Sequence, residues 1–128
     1  MERIKLLLAE DTTIGARRAQ RLLGDQFEVD PDTLSTPGLV LARLRMDKTE
    51  GRLPRVIVTN LMFQDGGYPE AGVNLIRSIR VLCPNIVIVA WSKAKGYLEA
   101  ARQAGANMVF AKYKDDDTMG EKIAQFLQ

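Results

Sequence analysis

Four polar residues that follow short apolar runs are the candidates for chemistry in this sequence: Glu10, Asp11, Asn60 and Lys112. Neighbouring carboxylates can hold a hard cation such as Mg²⁺, or one of them can cap a helix. The carboxamide of Asn60 neither ionises nor supplies an oxygen nucleophile. The chain has no histidine and one cysteine, Cys83, which lies among apolar residues and is predicted to be buried. Most acid–base and nucleophilic sites are therefore excluded, and we do not expect an enzyme.

Length and composition predict one ordinary globular domain over residues 1–128. Apolar residues make up 46% and charged residues 27% of the chain, and 18 basic against 16 acidic residues give a net charge of +2. This balance argues against direct binding of nucleic acid. The apolar run that begins at Ile4 is too short for a signal-peptide core or a membrane span, so we expect a cytoplasmic protein with no membrane partner.

Short apolar runs alternate with longer helical patterns, which is typical of a parallel sheet wrapped by crossover helices. We predict strands at residues 4–9, 27–29, 54–60, 86–91 and 107–111. The predicted helices open at Asp11 or Thr12, at Pro37, at Gly72, near Tyr97 and at Asp115. The second is expected to end near Met46, and Gly105 is expected to supply the left-handed stop of the fourth. The predicted fold class is α/β, with a doubly wound, five-stranded parallel sheet.

Helical spacing also predicts which side chains face the core. Ile14 and Leu22 in the first helix and Phe126 in the last are predicted to point inward. Several arginines fall on the opposite faces and are predicted to be solvated. They are Arg17, Arg18, Arg21, Arg77 and Arg80.

Ligands of a doubly wound sheet bind beyond the carboxyl ends of its strands, where the candidate polar residues lie. Three stretches there resemble the receiver domain of bacterial two-component response regulators. Residues 6–11 (Leu-Leu-Leu-Ala-Glu-Asp) resemble its acidic-pair strand, and Gly105-Ala106 with residues 110–112 (Phe-Ala-Lys) resembles its closing motif. The resemblance covers essentially the whole chain and implies the flavodoxin-like (βα)5 fold.

The resemblance implies a phosphorylation site that this chain lacks in part. In the family, the acidic pair, an acceptor aspartate and a backbone carbonyl two residues later hold Mg²⁺ during phosphoryl transfer, and a lysine steadies the product. Glu10 and Asp11 match the acidic pair, Met62 would supply the carbonyl and Lys112 matches the lysine. Asn60 stands where the acceptor aspartate is expected, so the nucleophile is missing.

The family's conformational switch also departs from its usual residues. The family has a Ser or Thr at the end of its fourth strand and an aromatic residue on its fifth. Counting back from Gly105 without gaps places Ala90 and Val109 at these positions, and neither can perform the role. A two-residue shift would instead place Ser92 at the hydroxyl position. The loop after the third strand, residues 61–71, is about four residues longer than the family usually has.

The leading hypothesis is a degenerate receiver, or pseudo-receiver, that signals by binding other proteins without being phosphorylated. Its predicted interaction face joins helices four and five to strand five and carries Trp91, Phe110 and Tyr113, although these residues could simply cover the sheet edge. Pairing of two copies through the same helices is compatible with the resemblance. No cofactor is required.

Two other hypotheses stay open at this point. The domain could still accept phosphate, either because Asn60 is an engineered replacement or because Asp65 accepts in its place. Alternatively, Glu10 and Asp11 could sense a metal ion or a small cation, with weak Mg²⁺ binding at most because the charge at position 60 is lost. Without a phosphoryl group to contact, Lys112 is predicted to serve mainly as a counter-charge to Glu10 and Asp11.

Overall fold

The computed structural model describes residues 3–64 and 67–128. Its strands are β1 (Ile4–Ala9), β2 (Phe27–Val29), β3 (Val56–Thr59), β4 (Val87–Ser92) and β5 (Met108–Ala111). Its helices are α1 (Thr13–Leu23), α2 (Pro37–Thr49), α3 (Pro69–Leu82), α4 (Leu98–Ala104) and α5 (Asp116–Phe126), with a short 3₁₀ turn (Lys95–Tyr97) before α4. The strands in this part of the chain form one parallel sheet in the order β2-β1-β3-β4-β5. The predicted doubly wound α/β fold is confirmed.

The central position of β3 follows from its composition. Val56, Ile57 and Val58 are apolar without alternation, and each is completely buried because helices cover both faces of the sheet. One hydrophobic cluster lies between the sheet and helices α2, α3 and α4, and a second lies between the sheet and helices α1 and α5. Cys83 lies in the first cluster, and burial raises the pKa of its thiol. Its predicted burial is confirmed.

Two helix starts lie where the cap residues predict them. The Thr12 hydroxyl accepts a hydrogen bond from the Gly15 N–H at 3.0 Å, and the Thr36 hydroxyl accepts one from the Leu39 N–H at 3.2 Å. Pro37 occupies the first turn of α2, where its missing N–H costs no helical hydrogen bond. Gly105 ends α4 with a φ of +129°, so the predicted left-handed stop is also confirmed.

Several predicted boundaries are wrong by a few residues. Helix α2 continues to Thr49 instead of ending near Met46, and α3 begins at Pro69 instead of Gly72. Proline suits the first turn of α3 for the reason that it suits the start of α2. Strand β3 is shorter than predicted, whereas β4 extends to Ser92. The ends of elements depend on loop contacts that local sequence does not encode.

Two predicted inward-facing residues are in fact exposed. Ile14 is 79% exposed and Phe126 is 49% exposed. Each lies in a terminal turn, Ile14 at the second position of α1 and Phe126 at the last position of α5. Helical spacing alone does not show where a helix extends past the sheet that it covers. Leu22 packs against the core, as predicted.

Arg80 joins three elements at the amino end of β4, so its predicted solvated position is wrong. Its guanidinium group donates hydrogen bonds to the Gly105 carbonyl at 2.6 Å, to the Ile86 carbonyl at 2.8 Å and to Asn107 Oδ1 at 2.7 Å. It also donates to the Pro84 carbonyl at 3.0 Å. A planar group with five N–H donors suits this set of acceptors, and an ammonium group does not.

We expect Arg80→Lys to lower the free energy of unfolding by about 2 kcal/mol, because most of these carbonyls lose their donor. Urea denaturation followed by circular dichroism measures this change. Arg77→Lys is the matched control, since Arg77 lies on the same helix, is exposed and bonds Asn74. Equal stability of the Arg80→Lys and Arg77→Lys variants would show that the hydrogen bonds of Arg80 contribute no stability.

Candidate functional site

The carboxyl ends of β1, β3 and β5 bring the predicted site residues together. Strands β1 and β3 are neighbours on opposite sides of the point where strand order reverses, and the Asn60 N–H donates to the Ala9 carbonyl at 2.9 Å. Glu10, Asp11, Asn60 and Lys112 line a cleft of about 370 Å³ at this edge. Met62, predicted from the resemblance to supply a carbonyl, lines the same cleft.

The Asn60 side chain is bonded on both of its polar sides. Its Oδ1 accepts hydrogen bonds from the N–H groups of Leu61 at 2.8 Å and Met62 at 3.3 Å. Its Nδ2 donates to Asp11 Oδ1 at 3.2 Å and to the Met62 carbonyl at 2.8 Å. Two backbone donors on one side and two oxygen acceptors on the other permit only this orientation of the amide. The side chain is therefore fixed between β1 and the loop that follows β3.

Lys112 and Glu10 form a buried ion pair beside Asn60. Lys112 Nζ lies 2.7 Å from Glu10 Oε1, and the two residues are 8% and 2% exposed. Glu10 Oε2 also accepts hydrogen bonds from the hydroxyl of Thr12 at 2.9 Å and its N–H at 3.3 Å. The predicted counter-charge role of Lys112 is confirmed for Glu10, whereas Asp11 contacts Asn60. The helix cap is Thr12, so capping by the acidic pair is wrong.

The oxygen atoms of this cleft do not fit a Mg²⁺ ion in the arrangement that the structure shows. Such an ion needs several free oxygen ligands in near-octahedral geometry. Asp11 and the Met62 carbonyl face the amide hydrogens of Asn60, and Glu10 is engaged by Lys112 and Thr12. Within residues 3–64 and 67–128, no group of three or more Asp, Glu, His or Cys side chains could hold a metal ion.

Strand β4 ends at Ser92, two residues after Ala90, and the assignment of Ala90 to the switch position stays a prediction. Ala90 lies inside the strand and packs in the core under α3 and α4. Ser92 is completely buried, its Oγ accepts a hydrogen bond from the Ala94 N–H at 3.1 Å, and its carbonyl accepts one from the Lys112 N–H. Ala90 pairs with Thr59 of β3 and with Val109 of β5, and both alignments stay predictions. Val109 is half-buried and packs against the same core.

The predicted interaction face is only partly exposed. Trp91 is 1% exposed and Phe110 is 4% exposed, so the prediction that they present contact surface is wrong. Both side chains point into the core under α1 and α5, because strand alternation places them on that side of the sheet. Tyr113 is 56% exposed, so its side chain is accessible to a partner as predicted.

Asp116 is an important residue that sequence reasoning missed. It is 2% exposed, and its Oδ1 accepts hydrogen bonds from Trp91 Nε1 at 2.8 Å and the Tyr113 N–H at 2.9 Å. Its other oxygen accepts one from Arg18 of α1. The sequence predicts only that a helix opens at Asp115 and assigns Asp116 no role of its own. A buried indole N–H needs an acceptor, and this need is the signal that could have indicated a carboxylate.

Tyr113 stands at the edge of the cleft in a strained conformation. Its φ is +71°, which is uncommon for a residue with a side chain. The guanidinium of Arg18 lies 4.8 Å from the centre of its ring and Lys93 Nζ lies 5.4 Å away, both within cation–π range. Ile14 and Met62 are also exposed and line this cleft. The cleft therefore has an apolar rim with two cations.

The loop after β3 is fixed at both of its described ends. The Gly72 N–H donates to the Leu61 carbonyl at 3.0 Å. The Tyr97 hydroxyl donates to Glu70 Oε1 at 2.8 Å, which raises the pKa of Tyr97 and lowers the pKa of Glu70. Helix α3 is thereby joined to the segment that precedes α4. Asp65, the alternative phosphoacceptor, lies outside the described residues.

A second cleft, of about 400 Å³, lies beside β2 and α2 away from the candidate residues. Its charges pair with one another, since Arg43 bonds Asp30 at 2.6 Å and Asp47 at 2.9 Å. Burial alone would raise the pKa of Asp30, but the bonds from Arg43 and the Asp32 N–H and the nearby positive charges lower it overall. Ion pairs within the protein therefore account for the charges of this cleft, and no ligand is needed to explain them.

Similar proteins identify the fold. No family model matches the sequence, and no curated protein matches it. Among solved structures, a putative response regulator from Chloroflexus aurantiacus superimposes with a TM-score of 0.79 at 19% identity, covering 98% of each chain. The BeF3-activated DrrB receiver domain gives 0.75 at 17% identity, covering 98% of this chain and 97% of that one. The Mn(2+)-bound response regulator Rcp1 gives 0.73 at 19% identity, covering 97% and 94%. The chain has the fold of response-regulator receiver domains.

Proposed function

We propose that this chain is a receiver-like signalling module that does not accept a phosphoryl group at Asn60 and acts by binding other proteins. The observation that carries the proposal is the Asn60 carboxamide at the end of β3, bonded to Asp11, Met62 and Leu61. Phosphoryl transfer to a side chain needs a nucleophilic oxygen aligned with the donor. A carboxamide in this position supplies none. The proposed role is binding, without enzymatic activity and without a required cofactor.

Contacts around the cleft support a single conformation. A switch needs contacts that differ between its two states. Here the buried Asp116 holds Trp91 and the Tyr113 backbone, and the Tyr97–Glu70 bond joins the turn before α4 to α3. Signalling by such a module depends on which partner is present and not on a covalent modification of the module.

The exposed part of the predicted face offers the contact surface for a partner. Tyr113 belongs to the segment between β5 and α5, and Trp91 and Phe110 act behind it as buried support. A rigid aromatic side chain beside cations is a common anchor in protein interfaces. The partner class is another signalling protein, with a second copy of this chain included. Direct binding of nucleic acid is not part of the proposal.

Intact-mass spectrometry after incubation with acetyl phosphate and Mg²⁺ tests the proposal. We expect no added phosphoryl mass on the wild-type chain, because position 60 has no nucleophile. Asn60→Asp restores the carboxylate beside Glu10, Asp11 and Lys112 and is expected to gain one phosphoryl group that is lost on treatment with hydroxylamine. Stable phosphorylation of the wild-type chain, at Asp65 or elsewhere in the loop, would refute the proposal.

A further inference from the structure

We infer that the Asn60 amide takes the place of a cation in this cleft and, together with Lys112, closes it to divalent metals. The inference rests on the proposed function, since it assigns the carboxamide a working role. It goes beyond the missing nucleophile, because it concerns what position 60 does and not only what it cannot do. The protein's own N–H and ammonium groups bond the oxygen atoms of the cleft.

The hydrogens of the Asn60 amide match the oxygen acceptors beside them in number. Asn60 Nδ2 carries two hydrogens and meets two oxygens, Asp11 Oδ1 at 3.2 Å and the Met62 carbonyl at 2.8 Å. Both amide hydrogens are therefore used. A divalent ion that binds these two oxygens must first displace the amide from between them.

Hydrogen bonds and burial hold the Asn60 amide in this position. Asn60 Oδ1 is held by the N–H groups of Leu61 and Met62, and the residue is only 6% exposed. Turning the amide away would break these bonds in a buried place, where unpaired polar groups are costly. Turning it over would set its hydrogens against two backbone donors.

The two carboxylates of the cleft, Glu10 and Asp11, differ in whether a cation balances their charge. Lys112 Nζ bonds Glu10 at 2.7 Å inside the protein, so Glu10 is already neutralised. The Lys112 ammonium also lies 4.6 Å from the centre of the Trp91 ring, which adds a second favourable contact at the same position. Among the described carboxylates of the cleft, only Asp11 has no ion pair, and one carboxylate without a further anionic ligand makes a weak Mg²⁺ site.

A metal titration of matched variants tests this inference. Mn²⁺ and Mg²⁺ are added to the wild-type chain, Asn60→Ala, Asn60→Asp and the control Asn74→Ala. Calorimetry and the fluorescence of Trp91, the chain's single tryptophan, report binding. We expect Asn60→Ala to bind Mn²⁺ about tenfold more tightly than the wild-type chain. It adds no ligand and only frees Asp11 and the Met62 carbonyl.

Asn60→Asp keeps an acceptor for the two backbone N–H groups and is expected to bind most tightly. Asn74→Ala should behave as the wild-type chain does, because Asn74 is an exposed residue of α3 that bonds Arg77. Thermal unfolding with and without metal checks that each variant is folded and gives a second readout, since metal should raise the melting temperature of Asn60→Asp most.

Two results would overturn the inference. One is a wild-type chain that binds Mn²⁺ as tightly as Asn60→Asp, because the amide would then exclude nothing. The other is an Asn60→Ala variant that binds no better than the wild-type chain, because a lack of ligands would then explain weak binding without any role for the amide. Neither result bears on the proposed function, which phosphoryl mass tests separately.

Discussion

Gly72→Ala is expected to destabilise the domain by about 3 kcal/mol or more, because overpacking against the backbone leaves little room for relaxation. A Cβ atom at position 72 would lie 2.2 Å from Leu61 Cα and 2.4 Å from the Leu61 carbonyl oxygen. These are main-chain atoms of the loop that also presents its N–H to Asn60. The substitution should therefore disturb the cleft as well as the stability.

Urea denaturation of the variant measures this effect. Gly96→Ala is the matched control, since Gly96 is exposed and an added Cβ atom there meets nothing within 4 Å. It should change the unfolding midpoint little. A Gly72→Ala variant as stable as Gly96→Ala would show that α3 can move away from Leu61 and that the loop after β3 is not fixed by this contact.

Asp116→Ala is expected to cost about 2–3 kcal/mol, because it leaves buried donors without an acceptor and unpairs Arg18. The Arg18 side chain is 30% exposed and can reach water, so the larger share of the loss comes from the indole of Trp91 and the N–H of Tyr113. Loss of the hydrogen bond between Trp91 and Asp116 should also shift the fluorescence emission of Trp91, because the packing around the indole becomes looser.

Asp117→Ala is the control for Asp116→Ala. Both residues lie in the first turn of α5 and interact similarly with the helix dipole, but Asp117 is exposed. Urea denaturation and tryptophan emission are compared for the two variants. If they lose the same stability and leave the emission unchanged, the three bonds to Asp116 contribute nothing beyond the helix dipole.

Local signals predicted the fold because they agree with one another along the chain. The apolar run at Val56–Thr59 has no alternation, which correctly predicts a strand covered on both faces. Threonine before proline at Thr36 predicts the start of α2 because both residues act within one turn. The Lys112–Glu10 pair was predicted because opposite charges at strand ends meet at the same edge of a parallel sheet.

The missed features depend on contacts between residues far apart in the chain. Trp91 and Asp116 are 25 residues apart, and Arg18 and Asp116 are 98 apart, so no local pattern indicates their bonds. Helical spacing predicts a solvated Arg80 because it shows the face of a residue but not the carbonyl groups that the face meets.

The Asn60 bonds explain how a receiver fold remains ordered at a site that lacks its usual chemistry. A buried carboxylate such as Glu10 would be costly without a counter-charge. In this chain an ammonium group pairs with Glu10 and a carboxamide donates to the half-buried Asp11, so the protein's own groups satisfy the site. Within the described residues, no helix is long and apolar enough to cross a membrane.

The most direct test of the central claim is a crystal of the wild-type chain soaked with beryllofluoride and Mg²⁺, an analogue of the phosphoryl group and its cation. We predict that the Asn60 amide stays bonded to Asp11 and the Met62 carbonyl, with no beryllium bonded to a side chain. Beryllofluoride attached to any carboxylate of the cleft or of the loop after β3 would contradict the account, because the chain would then possess a working acceptor.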